Sequence, residues 1–230
     1  MAKNNPIDDD LLVDVQEVYS KTEHFIDRNQ KPLTFGIGGV VVVVLGVLAY
    51  QSFVVRPAIE EAETEAWRAE SYFAADSLNL AAYGDGIAMG LDGVAEKYAS
   101  HAAGERASYE MGIYHRDMGE YADAIERFEE ATGLGDGVVS VLAQGGIGDC
   151  QVELGDYEAA ARAFLAAASA GSSGNVGDVL APMFLYKAAL AHMELGNTSE
   201  AANLLEQIVS DYPESQQFSM AQVLHASLVG

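Results

Sequence analysis

Cysteine is almost absent. Cys150 is the one such residue in 230, so an internal disulfide framework is excluded, and no CxxC pair exists for a metal or redox site. Basic residues are also scarce, with 12 Lys/Arg against 35 Asp/Glu and a formal charge of −23. A body of that sign repels a phosphate backbone instead of neutralising it, which argues against nucleic acid as a partner. The five histidines (His24, His101, His115, His192 and His225) are scattered without HxxxH spacing, so no metal site is expected. No GxSxG is present. The glycine strings Gly84–Gly90 and Gly145–Gly148 complete neither GxGxxG nor GxxxxGK[ST] and read as turns or close helix contacts. Asp8, Asp9 and Asp10 fit a helix start better than a cation site. Cys150 falls at a helix packing position, as a small buried apolar residue would. No catalytic residue, cofactor or small-molecule substrate is expected.

One long stretch lacks charge altogether. Residues 33–55 (LTFGIGGVVVVVLGVLAYQSFVV) are bracketed by Lys31 and Arg56. A helix of that length reaches roughly 35 Å, enough for a hydrocarbon core of about 30 Å. The Val40–Val44 run favours a strand in water, but in lipid an isolated strand leaves its amides unpaired, so a transmembrane helix is expected. The 32 residues before it are too long and too acidic for a signal-peptide n-region, and no clear A-x-A site follows Val47, so the segment reads as an uncleaved anchor. Lys21, Arg28 and Lys31 precede the span, and Arg56 and Arg68 follow it. That small excess favours a cytoplasmic N-terminus and a translocated C-terminal domain.

The anchor separates two acidic parts. Residues 1–32 hold four Lys/Arg against seven acids, net −3; residues 56–230 hold eight against 28, net −20. In the leader, Leu11, Leu12, Val15, Val18, Tyr19, Phe25 and Ile26 recur at helical spacing, predicting an amphipathic helix between Asp8 and Asn29. Too few cations flank this stripe for it to lie on anionic lipid. Two readings stand equally: a docking surface for a partner helix, or a loosely folded, partly disordered segment.

Beyond Pro57 helix-favouring residues are punctuated by glycine, and a period emerges. Met118-Gly119-Glu120-Tyr121, Leu154-Gly155-Asp156-Tyr157 and Leu195-Gly196-Asn197-Thr198 mark three similar turns, whose glycines are 36 and 41 residues apart. After each turn come Ala124, Phe128 and Ala131; Ala160, Phe164 and Ala167; and Ala201, Leu205 and Ile208. Gly112, Gly148 and Ala189 lie seven residues before the turn glycine. A small residue in each helix permits close approach, the aromatic fills the gap, and the turn glycine supplies the left-handed conformation that ends the first helix.

This pattern resembles the tetratricopeptide repeat (TPR) family. Gly112, Gly119, Tyr121, Ala124, Phe128 and Ala131 occupy six signature positions; Gly148, Gly155, Tyr157, Ala160, Phe164 and Ala167 occupy the same six. The third copy departs from it, with Ala189, Thr198 and Leu205 replacing glycine, tyrosine and phenylalanine, but keeps the terminal proline, Pro213. Together with the leader helix and the anchor read above, the resemblance implies an all-α chain in which an N-terminal amphipathic helix and one transmembrane helix precede a right-handed α-solenoid of three to four hairpins with a C-terminal capping helix. The expected parts are a leader (1–32), an anchor (33–55) and a TPR domain (56–230). The domain would hold a degenerate hairpin at 57–99, repeats at about 105–138, 141–174 and 182–215, and a capping helix at 215–228. Within the degenerate hairpin, helices are expected from Pro57 to about Leu80 and from about Ile87 to Tyr98, with Trp67, Tyr72 and Phe73 in its core. The glycine-rich joints at 133–137 and 171–177 account for a period longer than the usual TPR length.

TPR domains hold protein segments on the concave face formed by the first helix of each hairpin. Carried over copy by copy, the groove positions are Arg106, Tyr109, Ile113, Arg116 and Asp117; Leu142, Gly145, Asp149, Val152 and Glu153; and Met183, Tyr186, Leu190, Met193 and Glu194. Apolar anchors mixed with acids suit an extended or helical apolar segment, including one with basic flanks. The Lys/Arg clusters that clamp a carboxylate are missing. The competing reading is that these apolar residues only pack between hairpins. The whole layout is similar to bacterial ancillary subunits of the Sec translocon, whose TPR domain faces the periplasm. That resemblance implies association with SecYEG, emerging chains and periplasmic chaperones from an inner-membrane anchor. The alternatives are a TPR adaptor for cell-wall or outer-membrane assembly, and a structural subunit of a larger membrane complex.

Overall fold

The computed structural model describes residues 27–75, 77–133, 137–171 and 177–230, and the regular structure among these is all helix. They divide into two units between Ala58 and Ile59. The helix expected from Asp8 lies, up to Ile26, outside the described residues, as do 134–136 and 172–176 of the two glycine-rich joints.

In the first unit, α1 (Gln30–Tyr50) carries the valine run as helix, followed by a π-helical turn at Gln51–Val55. No residue of α1 is buried. Phe35, Val42 and Phe53 are among the apolar side chains left uncovered. Within Gln30–Ala74 the helix is long and apolar enough to cross a membrane.

The next helix, α2 (Arg56–Ala74), runs into the second unit, where Ala62, Ala66 and Ala69 are buried. It is followed by α3 (Leu78–Tyr83) and α4 (Leu91–Lys97). This region differs from the two-helix hairpin expected at 57–99. The first helix stops at Ala74 instead of Leu80, and residues 84–90 form a loop. Asp85 Oδ1 accepts the backbone N–H groups of Ile87 and Ala88 at 2.8 and 2.7 Å, and Gly84 and Gly86 hold positive φ angles of 78° and 86°. A local carboxylate thus satisfies donors that a helix would otherwise pair. Trp67 is 67% exposed and outside the core, whereas Tyr72 and Phe73 pack against it. Helical spacing decides the matter: the buried stripe follows the alanines at 62, 66 and 69, and Trp67 is one position off it.

Three hairpins follow: α5 (Ala102–Asp117) with α6 (Tyr121–Glu130), α7 (Val138–Glu153) with α8 (Tyr157–Gly171), and α9 (Gly177–Glu194) with α10 (Thr198–Asp211). The last helix, α11 (Phe218–Val229), packs on α10 and buries Ala221.

The first helix of each pair ends in the same way. The N–H of Gly119 bonds the carbonyl of Arg116 and that of Glu120 the carbonyl of His115, at 3.0 and 2.8 Å. Gly155 with Asp156, and Gly196 with Asn197, repeat this pairing onto Val152 and Gln151 and onto Met193 and His192. These are Schellman ends, and the three turn glycines sit at φ of 77°, 77° and 73°.

Inside each of the first two hairpins a missing Cβ makes room for a ring. A Cβ on Gly112 would lie 2.5 Å from Phe128, and one on Gly148 2.5 Å from Phe164. Between hairpins the same device recurs, since Cβ atoms on Gly145 and Gly146 would come within 2.1 Å of Phe184 and 2.7 Å of Phe128. The string Gly145–Gly148 is therefore a close helix contact. Buried side chains gather in three clusters along the chain. The core is divided among neighbouring hairpins, as in a solenoid.

Candidate protein-binding groove

A cleft of about 610 Å³ opens where α5, α7 and α9 end, lined by Arg116, Asp149, Val152, Glu153, Leu190 and Glu194. The starts of the second helices add Tyr121 and Tyr157, and Phe164, Lys187 and Ala191 complete the wall. Val152 and Leu190 supply its aliphatic surface, and Leu190 is 40% exposed.

Two ion pairs shape the cleft. Lys187 Nζ donates to both oxygens of Asp149, at 2.7 and 2.8 Å, so α9 is tethered to α7. Its ammonium also lies 5.5 Å from the ring centre of Phe164 and 5.9 Å from that of Phe184, and the two rings stack 6.4 Å apart at 16°. Arg116 Nη2 donates to Asp117 Oδ1 at 2.9 Å. The Tyr121 hydroxyl reaches Glu153 Oε2 at 3.4 Å, and the charge of Glu153 pushes the phenol pKa up.

The residues expected in the groove separate into distinct places. Arg116, Asp149, Val152 and Leu190 share the cleft, together with Glu153 and Glu194. Asp117 is an exposed partner of Arg116. Arg106 is tied to α2 through Glu63 at 2.7 Å and Glu70 at 3.5 Å. Tyr109 leans on Phe128 with ring centres 5.7 Å apart, and with Ile113 it packs against the middle core cluster. Leu142, Tyr186 and Met193 pack against the C-terminal cluster, as does Val152, which also lines the cleft. Met183 does so too and lines a second cleft of about 470 Å³ with Asp178, Val179 and Tyr212. Gly145 is buried under Phe184.

Sequence reasoning did not place Tyr121, Tyr157 or Lys187 in the groove. The two tyrosines were visible as signature positions. Lys187 was visible as a cation three and seven residues before Leu190 and Glu194, on the same helical face.

Two further sites involve ionisable groups. Cys150 is fully buried, and burial pushes its thiol up to about 11, which suits packing and not reactivity. Among the described residues His115, Glu120 and Asp123 bring ligand atoms within 4.8 Å of one another. His115 Nδ1 already lies 2.7 Å from Glu120 Oε2, and both carboxylates are exposed, so the trio reads as side chains closing the α5–α6 turn.

Comparison with known proteins agrees with the hairpin geometry. Tetratricopeptide repeat family models match residues 109–175 and 184–215. A crystal structure from Podosopora anserina, described as a kinesin light chain with nearly identical TPR-like repeats, superposes with a TM-score of 0.53 at 15% identity. The match covers 73% of this chain and 84% of that one. None of the curated proteins matches the sequence. Residues 109–175 and 184–215 are thus similar to tetratricopeptide repeats, a type of repeat that implies a scaffold for protein–protein interaction.

Proposed function

We propose that the protein is a membrane-anchored interaction scaffold with no catalytic step of its own, whose repeats lie on the periplasmic side of a bacterial inner membrane. In this reading it serves the Sec translocon as an ancillary subunit that links emerging chains to periplasmic chaperones. The observation that carries the scaffold reading is the cleft between three successive hairpins, lined by the exposed Leu190 and the half-buried Val152. The uncovered apolar surface of α1 supports the anchor. The Sec assignment rests on the resemblance of the leader–anchor–TPR order, and the orientation on the excess of Lys21, Arg28 and Lys31 over the cations beyond the span.

The test is affinity purification of the full chain from mild detergent after in-cell cross-linking, comparing wild type with a Val152→Ser, Leu190→Ser double variant. Contacts to SecY and periplasmic chaperones that fall in the variant are the expected result. Contacts to cell-wall or outer-membrane factors would move the protein to envelope assembly, and an unchanged partner list would remove the groove from its function. Extraction of the protein by alkaline carbonate, with its N-terminus intact, would remove the anchor.

A further inference from the structure

The charges in the cleft do not balance. Arg116 and Lys187 face Asp149, Glu153 and Glu194, and both cations are already partnered, by Asp117 and Asp149 respectively. Glu194 makes no ion pair among the described residues, and Glu153 receives only the long contact from Tyr121. The side chains set this sign. Arg116, Glu153 and Glu194 stand in the last turns of α5, α7 and α9, and Tyr121 and Tyr157 open α6 and α8 beside them, so the partial charges of helix C-termini and N-termini at the opening offset one another. Val152, Leu190 and Ala191 line the same cleft as these two carboxylates and give it an aliphatic floor.

Building on the groove reading, we infer that the occupant is a cationic-apolar protein segment: a Lys or Arg set before Glu153 and Glu194, with an aliphatic or aromatic anchor on Val152 and Leu190. An acidic segment would have to take Lys187 from Asp149 or Arg116 from Asp117, and either exchange leaves a third carboxylate without a cation beside Glu153 and Glu194. A basic segment leaves the Lys187–Asp149 pair in place. The surrounding domain, net −20 over residues 56–230, steers the same class of partner toward the opening.

The experiment uses the full-length protein in dodecyl maltoside and three fluorescein-labelled peptides of about 12 residues with one shared Leu-x-x-Phe centre and flanks of Lys, Gln or Glu. Fluorescence anisotropy is read at about 50 mM and about 500 mM salt. The Lys-flanked peptide is expected to bind roughly tenfold tighter than the Gln-flanked one at low salt, with the Glu-flanked one weakest, and the advantage should shrink at high salt. E153Q/E194Q should erase most of that advantage while keeping the Gln-flanked affinity. The remote exposed pair E126Q/E129Q should keep it. Because the altered carboxylates are exposed, thermal melts should coincide.

Equal binding of the Lys and Gln peptides, or an advantage that survives E153Q/E194Q, overturns the inference and leaves the groove reading standing. A loss as large in E126Q/E129Q would assign the attraction to the acidic body as a whole and overturn it too. Peptide binding that V152S/L190S does not weaken overturns both readings.

Discussion

Glu110, half-buried on α5, has one carboxylate oxygen with no hydrogen-bond donor. Burial and the nearby Glu70 carboxylate push it up to about 7, against the pull of Arg106. Burial moves Glu105 the same way. A folded pKa above the unfolded one means that the native state holds a proton that the unfolded chain releases. This contribution to stability is therefore full below about 4.5 and is lost as pH rises to about 7. Thermal melts of Glu110→Gln and wild type should coincide near pH 4.5 and diverge toward about pH 8, where the variant is the more stable.

The glycines make a second contrast at this scale. Gly148→Ala must displace the buried Phe164 ring, and should cost about 1–2 kcal/mol after the helix-propensity gain is subtracted. Gly155→Ala meets open space but keeps a φ of 77°, and should cost about 1 kcal/mol through backbone strain alone. Urea unfolding measures both. Making room with Phe164→Leu in the Gly148→Ala background should recover part of the first loss, whereas the same change should recover nothing beside Gly155→Ala.

At the level of helices, the Lys187–Asp149 bond joins α9 to α7 with both side chains about one-third exposed. Solvent screens such a pair, so a double-mutant cycle with Lys187→Met and Asp149→Asn should give a coupling of about 0.5–1 kcal/mol. A coupling near zero would make the pair an electrostatic feature of the groove with no part in holding the hairpins together. The hairpins themselves were legible from the turn words and from the small residue seven positions upstream, because both are requirements of a single turn and a single helix contact. The region at 57–99 was not. Its loop depends on Asp85 capping Ile87 and Ala88, and its buried stripe consists of alanines, which mark an inner face less clearly than the aromatics beside them. Those aromatics drew attention to Trp67, which the helix turns outward.

At the scale of the molecule, the second unit behaves as a one-dimensional stack in which helices pack on those close to them in chain order. Removing Phe184, which stacks on Phe164 and fills the space over Gly145, should destabilise by about 3–5 kcal/mol. Hydrogen exchange of Phe184→Ala should speed up across α7 to α11 and change little in α4 and the start of α5. Uniform loss of protection would show instead that the unit opens as one cooperative body.

The sequence by itself determined the helical repeat, the left-handed turns at Gly119, Gly155 and Gly196, and the glycine–phenylalanine contacts inside hairpins. Each of these follows from the sterics of neighbouring residues. It also determined the charge-free run at 33–55 and the acidity of residues 56–230. Only the tertiary structure decided which groove residues meet. Tyr109, Ile113 and Tyr186 were drawn into the packing, while Arg116, Asp149, Val152 and Leu190 gathered at the converging helix ends with a lysine 38 residues from its carboxylate. The physical reason is geometric. A helix face is set by spacing within one element, but whether that face meets a neighbour or a partner depends on how successive hairpins are rotated against each other.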